Sequence, residues 1–546
     1  MSSIPVPSIE LTTRNAATGN TSLEPLLTWL TLMFAQLERT FSKVPGSAVI
    51  ARYVRSSHQN DPGRTVLELI LIAFAVRTLL QSRSRDKSEG KLIKFSEKEI
   101  DELVEEWTPE PLCAPLTEWE QRDLTSVPVI AGPNGPKPKI LSTGKAAVNL
   151  ASYNFAGLAG NEHIKERAIE TLRKYGLGSC GPPGFYGTVD VHLELERDIA
   201  DFLGTESAIL YSQGFITISS VIPAFCKRGD VIVADRAVNF AIQKGIQISR
   251  STVRWYDHND LKSLEDVLVS VEKDRRKRGA PVTRRFIITE GIFERDGEIV
   301  DLPKLIELKH KYKYRLILDE SISFGSVGRT GRGLTELYNV PASQVDMLIG
   351  SVANGLCSAG GFCTGSTIVT EHQRINGTSF VFSASMPPLL AVAGSEGISY
   401  LRNTPSALTT LQENVRAVRA VLEKTEGIAV VGHRASPIVH FHLKTPSSAN
   451  GSAYGTATSP TTVMPPPTGP PFDCEAEEKI LQDIVDDALA NGVFITRAKR
   501  LRGQEMVETR PTVRIAVTAA LTKKEIEKAA GVVKASVVKV LGKRKL

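Results

Sequence analysis

The sequence predicts an α/β fold with a parallel, doubly wound sheet in a large domain and a smaller α+β domain at the C-terminal end. Three observations carry this reading. From about Val148, short β-rich runs alternate with helical runs, as around FIITEG (Phe286–Gly291) and RLILDES (Arg315–Ser321), and strands joined through helices build parallel sheets. Near the other end, VVGHRASPIVHFHL and EIEKAAGVVKASVVKVL read as a strand and a helix of a second, smaller layer. The composition, 42% hydrophobic and 23% charged over 546 residues, is globular, so disorder is confined to local stretches.

Along the chain, residues 1–20 read as a flexible N-terminus. MSSIPVPSIELTTRN lacks the basic, apolar and small-residue order of a secretory signal. Residues 21–90 hold two apolar segments. In the first, Leu26, Leu30, Met33, Phe34, Leu37 and Phe41 fall at helical spacing, as in an amphipathic helix on a membrane, on a partner or on its own domain. The second, Thr65 to Gln81, is about 17 residues, the lower limit for crossing roughly 30 Å of hydrocarbon. It reads as a single membrane span or deep anchor, or else as a buried core helix. Glu68 and Arg77 lie near its ends, and the following Arg83, Arg85 and Lys87 favour a cytosolic flank.

Residues 91–147 form a linker or arm. In FSEKEIDELVEEWTPEPL, Ser96 and Glu99 make a capping box, and Ile100, Leu103, Val104 and Trp107 make one apolar stripe, ended by Pro109 and Pro111. The large domain takes 148–400 and the small one 401–546. Within the latter, 446–471 is Ser/Thr/Pro/Gly-rich with almost no core-forming side chains, which predicts a disordered insertion.

A net charge of +6 with no arginine-rich groove interleaved with aromatics gives no nucleic-acid signature. The six cysteines show no CxxC pair and no zinc spacing, and read as reduced intracellular thiols. Asp319 closes the apolar run RLILD. A buried carboxylate there suits a cationic partner such as a protonated pyridine nitrogen, or else caps the next turn.

Eight motifs recur in order: NLASYNFAGLAGN, GSCGPPGFYGTVDVHLELE, YSQGF, VIVADRAVNFAIQKG, FIITEGIFERDGEIVDLPKL, LDESISFGSVGRTGRG, GSVANGLCSAGGFCTG and FSASMPP. Their order and spacing resemble the α-oxoamine synthase family over about Val148 to Val540, apart from the insertion. These enzymes use pyridoxal 5'-phosphate (PLP) to condense an amino acid with an acyl-CoA. The resemblance implies a fold-type I PLP transferase fold.

It also exposes gaps. The Schiff-base lysine falls on Asn354, the ring-stacking histidine on Asn239, and the histidine of the family's Asp-Glu-Ala-His strand end on Ile322, while the scaffold glycines Gly325, Gly331, Gly333, Gly360 and Gly361 remain. An amide cannot form the imine that holds PLP. EEWTPEPL, FAIQKG and ANGLCSAGGFC point further, to the non-catalytic subunit of a heteromer in the endoplasmic reticulum membrane with its catalytic domain in the cytosol. The partner subunit there bears the lysine and PLP, and the reaction joins L-serine and palmitoyl-CoA into 3-ketodihydrosphingosine, CoA and CO2. Small membrane regulatory subunits are implied by the resemblance alone.

Three segments suit a shared site. In GPPGFYGT, Gly184 allows close backbone approach, and Phe185 and Tyr186 face the partner's site or else form a packed turn. Ser383 and Ser385 of FSASMPP supply hydroxyls to the partner's cofactor phosphate or cap helices. Asp319 would then be vestigial, and Asn239 and Asn354 fill the degenerate pocket and shape the interface. Arg514 aligns near an arginine that binds the amino-acid carboxylate in active relatives, or else is a solvated strand residue. The terminal KRKL reads as a basic tail. Two competing functions remain open, a membrane scaffold that adds nothing to the active site and an active homodimer using another lysine, against which the absence of lysine from Gly350 to Gly361 weighs.

Overall fold

The computed structural model describes residues 47–49, 52–53, 56, 62–86, 95–279, 281–444, 473–501 and 503–543. The apolar segment 26–41, the insertion 446–471, the N-terminal residues 1–20 and most of the terminal KRKL lie outside the described residues. The chain divides into two compact units, Met1–Thr117 and Glu118–Leu546.

In the first unit, helix α1 (Pro62–Asp86) forms over the second apolar segment and, at 1.5 Å per residue, its 25 residues extend for about 37 Å. Val66, Leu67, Ile70, Leu71, Phe74 and Leu79 are exposed. It is therefore no buried core helix. Among the described residues no helix is long and apolar enough to cross a membrane. Helix α2 (Glu97–Glu106) starts at the predicted capping box, with Glu99 N–H donating to Ser96 Oγ at 3.3 Å and Ser96 N–H to Glu99 Oε2 at 2.7 Å. Its stripe of Ile100, Leu103 and Val104, with Trp107 just beyond, is exposed.

The second unit centres on a seven-stranded sheet: β1 (Ser207–Tyr211), β2 (Val231–Asp235), β3 (Thr252–Tyr256), β4 (Arg285–Glu290), β5 (Arg315–Asp319), β6 (Met347–Ser351) and β7 (Gly361–Gly365), in spatial order β1-β7-β6-β5-β4-β2-β3. The core strands are apolar on both faces, and Ile287, Ile288, Leu316, Ile317 and Leu318 are fully buried, as befits strands covered by helices on either side. Those helices include α3 (Phe240–Ser249), α4 (Leu261–Arg278) and the one-turn α5 (Val352–Leu356).

The sheet is parallel-rich, as expected, and mixed at one side. β7 runs antiparallel to both β6 and β1. Residues 352–360 are all that link β6 to β7, too few for the crossover of about a dozen residues that a parallel return requires. The predicted strands at FIITEG and RLILDES are parallel neighbours.

The smaller layer is a four-stranded antiparallel sheet, β8 (Ile428–Val431), β9 (Ile438–Leu443), β10 (Thr496–Arg497) and β11 (Val513–Ala516), in the order β8-β9-β11-β10. With it go helices α6 (Ser406–Leu422), α7 (Cys474–Ala490) and α8 (Lys523–Gly542), the last two packed together. The strand and helix predicted near the C-terminus are β9 and α8.

Candidate functional site

Parallel pairing puts Glu290 and Asp319 side by side at the ends of β4 and β5. Both carboxylates are buried. Asn239 reaches them because it caps α3: its Oδ1 accepts from Ile242 N–H at 3.0 Å, which turns Nδ2 toward Asp319 Oδ2 at 2.8 Å, while its own N–H donates to Glu290 Oε1 at 2.6 Å. The second Asp319 oxygen accepts from Ser321 N–H at 2.9 Å. Asp319 thus caps the next turn and also receives the Asn239 amide.

Asn354 sits in the single turn of α5, where Gly325 lets the chain come close: a Cβ on Gly325, whose φ is +74°, would lie 2.8 Å from Gly355 Cα. Asn354 Nδ2 donates to Ser321 O at 3.1 Å. Asn239, Asp319 and Asn354 are therefore linked through Asp319 and Ser321. Ile322 is buried in the core beside them.

Electrostatics reinforce this closed arrangement. Burial and then the Asp319 charge push Glu290 well above the usual carboxylate range, and burial, aided by Glu294, raises Asp319. Glu320, fully enclosed, is raised to about 7 by burial, against the hydrogen bonds it accepts from Ser323 and from Leu334 N–H. Burial thus disfavours the charged form of each of these acids.

On its open side the pocket continues into a cavity of about 330 Å³ whose lining includes Asn239, Phe240, Glu294, Arg295 and Arg500. Arg514 contacts Glu294 of this wall. It is not a solvated strand residue: its Nη1 donates to Tyr153 OH at 2.5 Å and to Glu294 Oε1 at 3.2 Å, and its guanidinium lies 4.7 Å from the Tyr153 ring centre. Nearby His440 is pushed down to about 3 by burial and by the Arg500 and Arg514 cations.

The fold family implies PLP, and these residues do not fit a covalently held one. No lysine occurs from Gly350 to Phe362, Asn354 spends its amide on a backbone carbonyl, and the Asp319 oxygen that a pyridinium N–H would meet already receives Asn239 Nδ2.

The remaining candidates form a second cluster. Residues 183–187 make one irregular turn in which Tyr186, with φ 68° and ψ 9°, occupies the left-handed region, costly for a residue with a Cβ. Tyr186 is fully exposed and Phe185 largely so. The turn is held from below. Ser385 N–H donates to Gly181 O at 3.0 Å, and a Cβ on Gly187 would lie 2.0 Å from Gly181 O and 2.5 Å from Ser385 Oγ, so only glycine fits there. Gly184 has open space around its α-carbon. Ser383 ends the helix Thr378–Phe382 and is half-buried, whereas Ser385 is buried, ends no helix, and its Oγ has no hydrogen-bond partner among the described residues.

Several residues escaped sequence reasoning. Glu290 was legible in principle, since FIITEG closes on an acid as RLILDES does. Tyr153 and Glu294 left no such signal. Neither did His258, clamped between Asp235 (3.0 Å) and Asp296 (2.9 Å). Burial opposes its charge, but the two carboxylates raise it to about 10.

This architecture, a mixed seven-stranded sheet with ligand-type residues at the ends of its parallel strands and a small antiparallel layer behind, defines the fold-type I class of PLP-dependent proteins. The aminotransferase class I and II family model matches residues 145–533. Long chain base biosynthesis protein 1b of Oryza sativa subsp. japonica is 44% identical over 391 residues, 72% of this chain and 78% of the relative. Serine palmitoyltransferase 1 of Saccharomyces cerevisiae is 36% identical over 524 residues, 91% and 92% of the two chains. Among solved structures, one of SPT with a PLP internal aldimine matches with a TM-score of 0.64 at 21% identity over 82% of this chain and 99% of that one; the Sphingomonas wittichii serine palmitoyltransferase gives 0.64 at 20% over 76% and 92%. The chain belongs to the aminotransferase class I and II family and, within it, to the group of serine palmitoyltransferase 1 and long chain base biosynthesis protein 1.

Proposed function

We propose that this chain is the non-catalytic but required subunit of a serine palmitoyltransferase, working in long-chain base biosynthesis beside a second, lysine-bearing subunit. The observation that carries the reading is Asn354, an amide tied to Ser321 O where an imine-forming amine is needed. The names of the relatives supply the reaction: the heteromer condenses L-serine with palmitoyl-CoA. PLP, held by the partner, supplies the electron sink for loss of CO2 and carbon–carbon bond formation.

This chain's own residues do something else. Tyr186 and Phe185 project from a strained, exposed turn toward the partner's site, and the unpartnered Ser385 hydroxyl beneath that turn, with Ser383, offers donors to a phosphate across the interface. Tyr153, Glu294 and Arg514 brace the vestigial pocket. Exposed aliphatic and aromatic side chains on α1 support anchoring at the endoplasmic reticulum membrane with the globular part in the cytosol. Small regulatory subunits belong to the same reading.

The test is to purify the chain alone and with a lysine-bearing partner, measuring bound PLP by its visible absorbance and turnover of L-serine with palmitoyl-CoA. PLP and turnover only in the complex are expected. Covalent PLP and turnover from this chain alone would sink the proposal. Full turnover of a complex carrying Tyr186→Ala and Ser385→Ala would instead favour a scaffold that adds nothing to the site.

A further inference from the structure

The strand starts of the large sheet gather positive charge at the end opposite Asp319. Val231 of β2 lies in register between Thr252 of β3 and Arg285 of β4, so three neighbouring strands at about 4.8 Å spacing bring the segments 227–230, 250–252 and 284–285 together. Ser251 Oγ donates to Lys227 O at 3.0 Å, and Val231 N–H to Arg284 O at 3.0 Å. The C-terminal turn of α4 joins them, because Arg285 of β4 and Arg275 of α4 both pair with Glu272, at 3.0 and 2.8 Å.

The local acids are already used. Glu272 is shared by Arg275, Arg276 and Arg285, and Asp230 takes Arg284. Lys227, Arg228, Arg250, Lys273, Lys277 and Arg278 are exposed and in no ion pair among the described residues. Asp274 is the one acid from 273 to 285. A surface that serves solubility alone intersperses both signs. Beside these cations stand exposed aliphatic side chains, Ile248 next to the Arg250 turn, Val269 on α4 and Val282 between Arg278 and Arg284, and no exposed aromatic ring on which a base would stack.

We propose that this patch docks on an anionic membrane surface, with the lysines and arginines meeting lipid phosphate and carboxylate groups and the valines and isoleucine entering the headgroup layer. It deepens the reading that the chain works at a membrane, adding a second, electrostatic contact from the globular unit. It leaves free the opposite end of the sheet, where Asp319 and Asn354 lie.

The full-length chain, co-purified with its partner, is titrated with vesicles of phosphatidylcholine alone and of phosphatidylcholine with phosphatidylserine. The expected result is tighter binding to the mixed vesicles, by about 10-fold or more, falling as salt shortens the screening length. The triple change Lys273→Gln, Lys277→Gln and Arg278→Gln is expected to remove most of that preference while leaving binding to neutral vesicles and thermal unfolding unchanged; the Glu counterparts should abolish it. A preference that survives the Gln and Glu sets, or ignores salt, overturns the proposal. Tighter binding of single-stranded RNA than of mixed vesicles, lost in the same variants, overturns it in favour of nucleic acid. Failure to bind neutral vesicles, with the anionic preference intact, sinks the α1 anchor and supports the patch.

Discussion

The pocket at the ends of β4 and β5 and the turn at 183–187 treat polar groups in opposite ways. In the pocket, Asn239, Asp319, Asn354 and Ser321 satisfy one another, and burial raises the pKa of the acids there. At the turn, Tyr186 is held in a left-handed conformation, wholly exposed, above a buried serine hydroxyl with no partner. A site closed on itself needs nothing from outside. A strained, unsatisfied one persists because neighbouring structure imposes it, and such strain collects at contact surfaces.

The comparison can be broken or sharpened by substitution. The largest expected effect comes from the closed side: His258→Leu leaves Asp235 and Asp296 buried without their imidazolium, a loss of about 3–5 kcal/mol read as a lower urea midpoint. Because the His258 pKa is raised from 6.5 to about 10, the clamp's stabilisation is fully present below pH 6.5 and lost as pH rises through 10. The variant should therefore lose the wild-type decline across that window.

Glu320 follows the same sign. Raised from 4.5 to about 7, it favours the fold fully below pH 4.5 and loses that contribution as pH rises through 7, about 3 kcal/mol in all at 1.36 kcal/mol per unit. Glu320→Gln should flatten stability between pH 4.5 and 7, and an unchanged slope would contradict its burial as an acid.

On the open side, Gly187→Ala drives a methyl group into Gly181 O and Ser385 Oγ, costing about 1–3 kcal/mol and lowering heteromer turnover by displacing Tyr186. Tyr186→Gly is the sharpest test despite the smallest energy. It relieves a left-handed side chain and should stabilise the chain by about 1 kcal/mol while reducing heteromer turnover. Gains in both stability and turnover would show that the turn is only strained.

Much of the closed side was legible without coordinates. RLILD announced a buried strand ending on an acid, Ser96 and Glu99 announced a helix start, and the motif order singled out Asn239 and Asn354, which the structure links through Asp319 and Ser321. What stayed hidden depends on register between distant segments. Glu290 beside Asp319, Arg514 on Tyr153 and His258 between two aspartates join residues 23 to 361 positions apart, and no local pattern encodes which of many acids a cation will meet. The exposure of α1 was likewise invisible, since an apolar run reads alike in a core and in the open.

By itself the sequence determined the alternation of strands and helices, the helix caps and the absence of an imine-forming lysine, because each depends on residues within one turn or one strand of each other. Tertiary structure decided the reversed direction of β7, the burial that raises Glu290 and Glu320, the left-handed exposure of Tyr186 and the basic face at the strand starts, because desolvation and charge pairing depend on which remote segments are neighbours in space.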